Sequence, residues 1–110
     1  MKNEYGETLD RNGYLPSLVN WPDGNCFICG KTNRPLQRHE VYHGPYRSKS
    51  KALGCWVPIC DECHTKVHAG YNRLDYRLKL LFQKKATEKY GWSENQFREV
   101  FGKSYYDEEE

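Results

Sequence analysis

Two short cysteine pairs constrain this chain more than any other feature. Cys26-Phe27-Ile28-Cys29 and Cys60-Asp61-Glu62-Cys63 are both Cys-x-x-Cys runs. At this separation they are the sequence form of one tetrahedral Zn²⁺ site with four thiolate ligands. With 110 residues, the chain buries only a modest apolar core and gains from a metal staple. The competing reading is two disulfides. Met1 to Leu18 lacks the apolar stretch of an export signal, so a cytoplasmic location with reduced thiols is expected and metal binding is favoured. Hydrophobic residues make up 37% of the chain and aromatics 15%, so order is expected from rings and metal more than from aliphatic side chains. No run of about 18 apolar residues occurs, and no membrane partner is expected.

Histidines accompany both pairs. Arg38-His39-Glu40-Val41-Tyr42-His43 follows the first, and His64 directly follows Cys63, with His68 four residues on. The stretch Asp61 to Ala69, closed by Gly70, reads as a short helix that sets His64 and His68 at i and i+4 on one face. Each residue has a plainer reading. His64 can be a neighbour of the zinc site, His68 a surface residue and His43 a loop residue.

Charge is uneven beneath a net +2. Lys31, Arg34, Arg38, Arg47, Lys49 and Lys51 stand against the single acid Glu40, and a second basic group runs from Arg73 to Lys89. The acids collect in the N-terminal arm and in Asp107-Glu108-Glu109-Glu110. A basic middle beside a metal site suits a polyanionic partner such as DNA, although charge alone fits an ordinary solvated face equally well.

The chain divides into an N-terminal arm (1–25), a zinc-stapled core (26–70), a C-terminal helical segment (71–106) and an acidic tail (107–110). In the arm, Gly6, Gly13, Pro16, Pro22 and Gly24 break regular structure, and Leu15, Leu18, Val19 and Trp21 are candidate docking contacts. Strands are expected over Leu36–Tyr42 and Leu53–Ile59, with His43–Ala52 between them as a basic loop. A helix is expected over Arg73–Tyr90, with Leu74, Leu78, Leu81, Phe82 and Lys85 at helical spacing and Gly91 as its stop. Another follows at once, opened by a Ser93–Gln96 capping box with Trp92 stapled on Phe97, and closed by Gly102.

Residues 26–68 resemble the HNH endonuclease family in its four-cysteine zinc form. The likeness is carried by the two cysteine pairs, Arg38-His39-Glu40-Val41, His64 after the second pair, and His68. Tyr42-His43-Gly44, Arg47-Ser48-Lys49-Ser50, Gly54 and Phe101-Gly102-Lys103-Ser104-Tyr105 are similar to small HNH proteins of bacteriophages and prophages of Gram-positive bacteria. The resemblance implies an α+β fold, a small ββα-metal (His-Me finger) domain stapled by a four-cysteine zinc, with C-terminal helices. It implies an endonuclease that hydrolyses or nicks DNA phosphodiester bonds with little sequence preference. If the chain is phage-encoded, it would work in the host cytoplasm, alone or beside phage packaging or recombination proteins.

The same resemblance implies two metals. Cys26, Cys29, Cys60 and Cys63 would hold a structural Zn²⁺. His39, His64 and His68 would hold a second divalent ion, Mg²⁺, Mn²⁺, Ni²⁺ or Zn²⁺, and imidazole suits the last three better than Mg²⁺. Arg47, with Arg38, Lys49 and Lys51, would bind phosphates. For the base that activates water, two registers are open. In the direct one Glu40 stands where the family has a histidine; in the other His39 is the base, with His43 or Glu40 contributing elsewhere. In a regular strand His39 and Glu40 point to opposite faces, so they do not share one role. Cys55 stands where the family has an asparagine that orients the base, and a thiol is a weak hydrogen-bond partner; it reads better as a small buried hydrophobe than as a redox thiol. These departures also fit a second reading, a non-catalytic zinc module that binds nucleic acid or a phage or host protein.

Overall fold

Alternation along two five-residue strands sorts the whole molecule into an inner and an outer side. The computed structural model describes residues 1–19, 21 and 24–106; the expectations for Pro22 and for the acidic tail 107–110 lie outside them. Strand β1 (Leu36–Glu40) pairs antiparallel with β2 (Trp56–Cys60), with His39 opposite Val57 and Glu40 opposite Trp56. Period two then sends Gln37, His39, Val57 and Ile59 to one face and Leu36, Arg38, Glu40, Trp56 and Pro58 to the other. Val57 and Ile59 are fully buried. Among the described residues four helices complete a small α+β fold: α1 (Arg47–Ala52), α2 (Asp61–His68), α3 (Leu74–Tyr90) and α4 (Glu94–Phe101). Helix α2 contacts both strands and α3, and α3 contacts α4. Among the described residues no helix is long and apolar enough to cross a membrane.

The core lies on the inner side, where Val41, Val57 and Ile59 meet Val67 of α2, Leu78, Phe82 and Ala86 of α3, and Phe97 and Phe101 of α4. Burial of each large side chain contributes about 1.5–3 kcal/mol. Aromatic rings take much of this space, as their share of the composition leads one to expect. Tyr42 stacks on Phe101 at 4.2 Å between centroids and meets Phe97 edge-on at 5.5 Å. Its hydroxyl donates to the Lys79 carbonyl at 2.5 Å, which satisfies the polar end of a buried ring.

The strands are shorter than expected and the connection between them is more ordered. The expected strand Leu36–Tyr42 ends at Glu40, and Leu53–Ile59 becomes Trp56–Cys60. The expected basic loop His43–Ala52 holds a 3₁₀ turn, Gly44–Tyr46, followed by α1. The reason is tertiary. Ser50 is fully buried; its hydroxyl donates to the Cys55 carbonyl at 2.6 Å and accepts from the Tyr42 amide at 3.1 Å. One small side chain thereby ties both ends of the connection and leaves Arg47, Ser48 and Lys49 exposed.

The arm docks on the outer side. Leu15 is buried, the Leu18 amide donates to the Gly54 carbonyl at 3.0 Å, and the Trp56 indole donates to the Leu15 carbonyl at 2.6 Å. Gly54 has φ +81°, and a Cβ there would lie 2.7 Å from the Pro16 carbonyl oxygen. Only glycine permits both the backbone and the approach.

The C-terminal helices follow the sequence closely. Helix α3 begins at Leu74, because Arg73 takes φ +55° and stands outside it. Its buried stripe is Leu78, Phe82, Gln83 and Ala86; Lys85, expected on it, is exposed. Gln83 turns the stripe by donating to the Ser104 hydroxyl at 2.9 Å and accepting from the Tyr105 amide at 2.7 Å. The Ser93–Gln96 capping box is present in both directions, and such a cap contributes about 1 kcal/mol. Trp92 and Phe97 lie 6.4 Å apart by ring centroids.

Candidate functional site

Two clusters of metal-ligating side chains share helix α2. The first is Cys26, Cys29, Cys60 and Cys63, whose sulfurs all lie within 4.8 Å of one another. The knuckles are built by backbone bonds. Gly30 N–H donates to the Cys26 carbonyl at 2.9 Å and Phe27 N–H to the Pro58 carbonyl at 2.8 Å, so the first pair turns tightly against β2. Cys29 and Cys60 sulfurs stand 3.9 Å apart, far beyond a disulfide's ~2.05 Å, and all five cysteines are free. At Cys26 burial pushes the thiol up, but backbone N–H groups of Cys29, Cys60 and Ile28 outweigh it and bring it down to about 6. Such a thiol is a ready thiolate ligand. Four converging sulfurs fit a structural metal site.

The fifth cysteine stands apart. Cys55 is fully buried, and burial pushes its thiol up. Its carbonyl accepts from Val41 N–H at 2.9 Å and from the Ser50 hydroxyl, so the residue is part of the core.

The second cluster is His39, His64 and His68, with donor nitrogens also within 4.8 Å of one another. His39 reaches inward from β1, and His64 and His68 come from the same face of α2, as their spacing requires. Ring centroids are 5.4 Å apart for His39–His64, 5.6 Å for His39–His68 and 4.5 Å for His64–His68. The Nε2 atoms of His64 and His68 face each other at 2.9 Å. His39 is 3% exposed, and its buried Nε2 has no hydrogen-bond partner among the described residues. An imidazole nitrogen left so is costly unless something fills the gap. Burial first, then the neighbouring His64, His68 and His43, hold His39 down to about 4. Burial and His68 also lower His64. Three imidazoles with converging nitrogens fit a divalent ion that accepts nitrogen ligands.

His43 stands at the rim of this cluster. Its ring centroid is 6.2 Å from His39 and 6.1 Å from His68, and its side chain is exposed. Its Nε2 lies 3.3 Å from Asp75 Oδ1 on α3, and the other Asp75 oxygen accepts from Lys79 Nζ at 2.8 Å. Burial pushes the Asp75 carboxyl up, but the Lys79 bond outweighs it and the net direction is down. A charged acceptor therefore faces the His43 ring.

Glu40 lies on the outer face, as alternation requires. It is 7% exposed, accepts from Arg47 Nε at 2.5 Å and from the Tyr14 hydroxyl at 2.8 Å. Burial and the nearby carboxylate push Tyr14 up to about 12. The other expected phosphate contacts are also engaged. Arg38 pairs with Asp10 at 2.8 Å and lies 4.4 Å over the Tyr14 ring and 5.1 Å over Trp56. Lys49 donates to the Val100 carbonyl at 3.3 Å, and Lys51 lies 4.8 Å over Tyr14. Arg47 keeps 66% of its side chain exposed.

Three residues beside the clusters, Gln37, Asp61 and Asp75, are not marked by the sequence as part of the site. Gln37 Oε1 meets His64 Nδ1 at 2.6 Å, Gln37 Nε2 meets Asp61 Oδ1 at 2.5 Å, and Asp75 meets His43. The period of β1 could have flagged Gln37, two residues from His39; nothing local marks Asp75. Comparison with protein-family models, with curated proteins and with solved structures finds no match for the chain.

Proposed function

We propose that the chain is a metal-dependent endonuclease of the HNH type that hydrolyses or nicks DNA phosphodiester bonds with little sequence preference. The observation that carries the reading is the convergence of His39, His64 and His68 around the unpartnered, buried His39 Nε2. Its support outside that cluster is the resemblance in the two cysteine pairs, the histidine-bearing strand and the Cys63-His64 junction.

In this reading Cys26, Cys29, Cys60 and Cys63 hold a structural Zn²⁺ with no open position, and His39, His64 and His68 hold a second divalent ion. When bound, that ion supplies positive charge that polarises the phosphate and stabilises the leaving oxygen. The remaining work belongs to side chains. His43 takes the proton of the attacking water, because it is the exposed imidazole beside the cluster and Asp75 aligns its ring. Glu40 does not take that part; both its oxygens are engaged, by Arg47 and Tyr14, on the other face of the strand. Its part is to aim Arg47, whose exposed guanidinium edge binds a backbone phosphate. Contacts of this kind address phosphates and not base edges, hence the weak sequence preference.

The second reading is a zinc module that binds nucleic acid or a protein without cutting. The observation in its favour is the engagement of Glu40 and the burial of Cys55, the two positions where the resemblance calls for a base and its orienting partner.

The deciding experiment is nicking of supercoiled plasmid with Mg²⁺, Mn²⁺ or Ni²⁺, wild type against His64→Ala. The expected result is cleavage by wild type alone, abolished by chelator. No cleavage by folded, zinc-loaded wild type favours the binding module. Equal cleavage by both proteins removes the histidine cluster from the chemistry.

A further inference from the structure

Gln37 and Asp61 form a two-step relay behind one of the three clustered histidines. Gln37 shares the inner face of β1 with His39, and Asp61 opens α2. A carboxylate accepts hydrogen bonds and does not donate them. Asp61 Oδ1 at 2.5 Å from Gln37 Nε2 therefore fixes which way the amide points. The amide oxygen is left facing His64 Nδ1 at 2.6 Å. An amide oxygen also only accepts, so His64 must carry its hydrogen on Nδ1. The lone pair of the neutral ring then sits on Nε2, the atom that faces His68 Nε2 at 2.9 Å. With the amide turned over, its NH₂ group would demand the opposite tautomer and cover the lone pair with a hydrogen.

We infer that Gln37, held by Asp61, is the positioning residue that presets His64 as an Nε2 ligand for a divalent cation in the His39–His64–His68 cluster. The inference rests on the ion site proposed above and adds what sets its affinity. Outer partners of ligating histidines act in this way, fixing tautomer and ring orientation. Both partners are exposed side chains outside the buried core, and Gln37 lies on β1, away from both cysteine pairs in the sequence.

The test is calorimetric titration of Ni²⁺ into zinc-loaded protein, wild type against Gln37→Leu, with zinc content measured in both. Gln37→Leu is expected to keep its zinc and to bind Ni²⁺ about 10- to 100-fold more weakly. Asp61→Asn, which leaves the amide acceptor in place but frees it to turn, is expected to lose less. Nitrogen-15 spectra of the histidine rings before Ni²⁺ is added give a readout independent of binding: His64 protonated on Nδ1 in wild type, a mixture of tautomers in Gln37→Leu. Equal Ni²⁺ affinity in the two proteins, with the same tautomer in both, overturns the inference and leaves the ion site standing. Absence of Ni²⁺ binding by wild type overturns the ion site, and the inference with it.

Discussion

Cys60 and Cys63 at the start of α2 belong to a cluster in which only Cys29 is exposed, while His64 and His68 on the same helix belong to one that opens at its rim. Around the cysteines three of the four residues are buried, and backbone bonds from Gly30, Phe27 and Cys60 complete the shell. Around the histidines burial falls from His39 through His64 to the exposed His68, and one nitrogen at the bottom has no partner among the described residues. A closed thiolate shell stabilises; an open imidazole set with spare coordination can act on a ligand. Two adjacent residues, Cys63 and His64, thus belong to different clusters, and helix α2 links the two.

The sharpest way to break this contrast is to remove one ligand from each side. Cys60→Ser is expected to abolish zinc retention and cooperative folding, since a structural zinc contributes roughly 10 kcal/mol or more in small domains. His68→Ala, at an exposed position, is expected to change stability by about 0.5 kcal/mol or less. Thermal denaturation with zinc analysis reads both; a His68→Ala protein that unfolds like Cys60→Ser would make the second cluster structural.

Acid should separate the clusters next. His39 titrates near 6.5 when unfolded and is held down to about 4 when folded. The unfolded chain therefore binds the extra proton between those values. Stability is full above 6.5 and falls as pH drops toward 4, by on the order of 3 kcal/mol. Denaturant melts of zinc-loaded His39→Gln should show a shallower loss over that window. An unchanged slope would mean that His39 does not carry the effect.

A smaller effect is expected at the rim. Asp75→Asn keeps the shape beside His43 but removes the charged acceptor, and nicking is expected to fall about 10- to 100-fold through turnover with DNA affinity little changed. Loss of affinity alone would assign Asp75 to substrate binding. The smallest effect belongs to the outer face. Glu40→Gln is expected to cost about 1 kcal/mol of stability or less, because Arg47 is largely exposed, and to leave most nicking activity. A loss as deep as that of His64→Ala would return Glu40 to the chemistry.

What the sequence discloses depends on how local each feature is. The cysteine pairs, the i and i+4 histidines, the alternation of His39 and Glu40 and the Ser93 capping box are all written within a few residues, and each has its expected geometry. Helix α1 was hidden because its order comes from Ser50 bonding across to Tyr42 and Cys55. The buried stripe of α3 takes Ala86 in place of Lys85 because Gln83 is drawn in by Ser104 and Tyr105, 21 and 22 residues further on. The approach of Asp75 to His43 spans 32 positions and depends on how α3 docks. No window of adjacent residues contains that information.

Tyr42 has a consequence in time. Its ring rests on Phe101 and its hydroxyl on the Lys79 carbonyl, and it is the residue next to His43. While the chain is being made, His39, His43, His64 and His68 all leave the ribosome before the surface that seats Tyr42 exists. Between Tyr42 and Phe101 synthesis takes roughly three to twelve seconds. During that interval the histidines are present but the contact of Tyr42 with Phe101 is not, so the seat of the residue beside His43 is completed only when α4 folds back onto it.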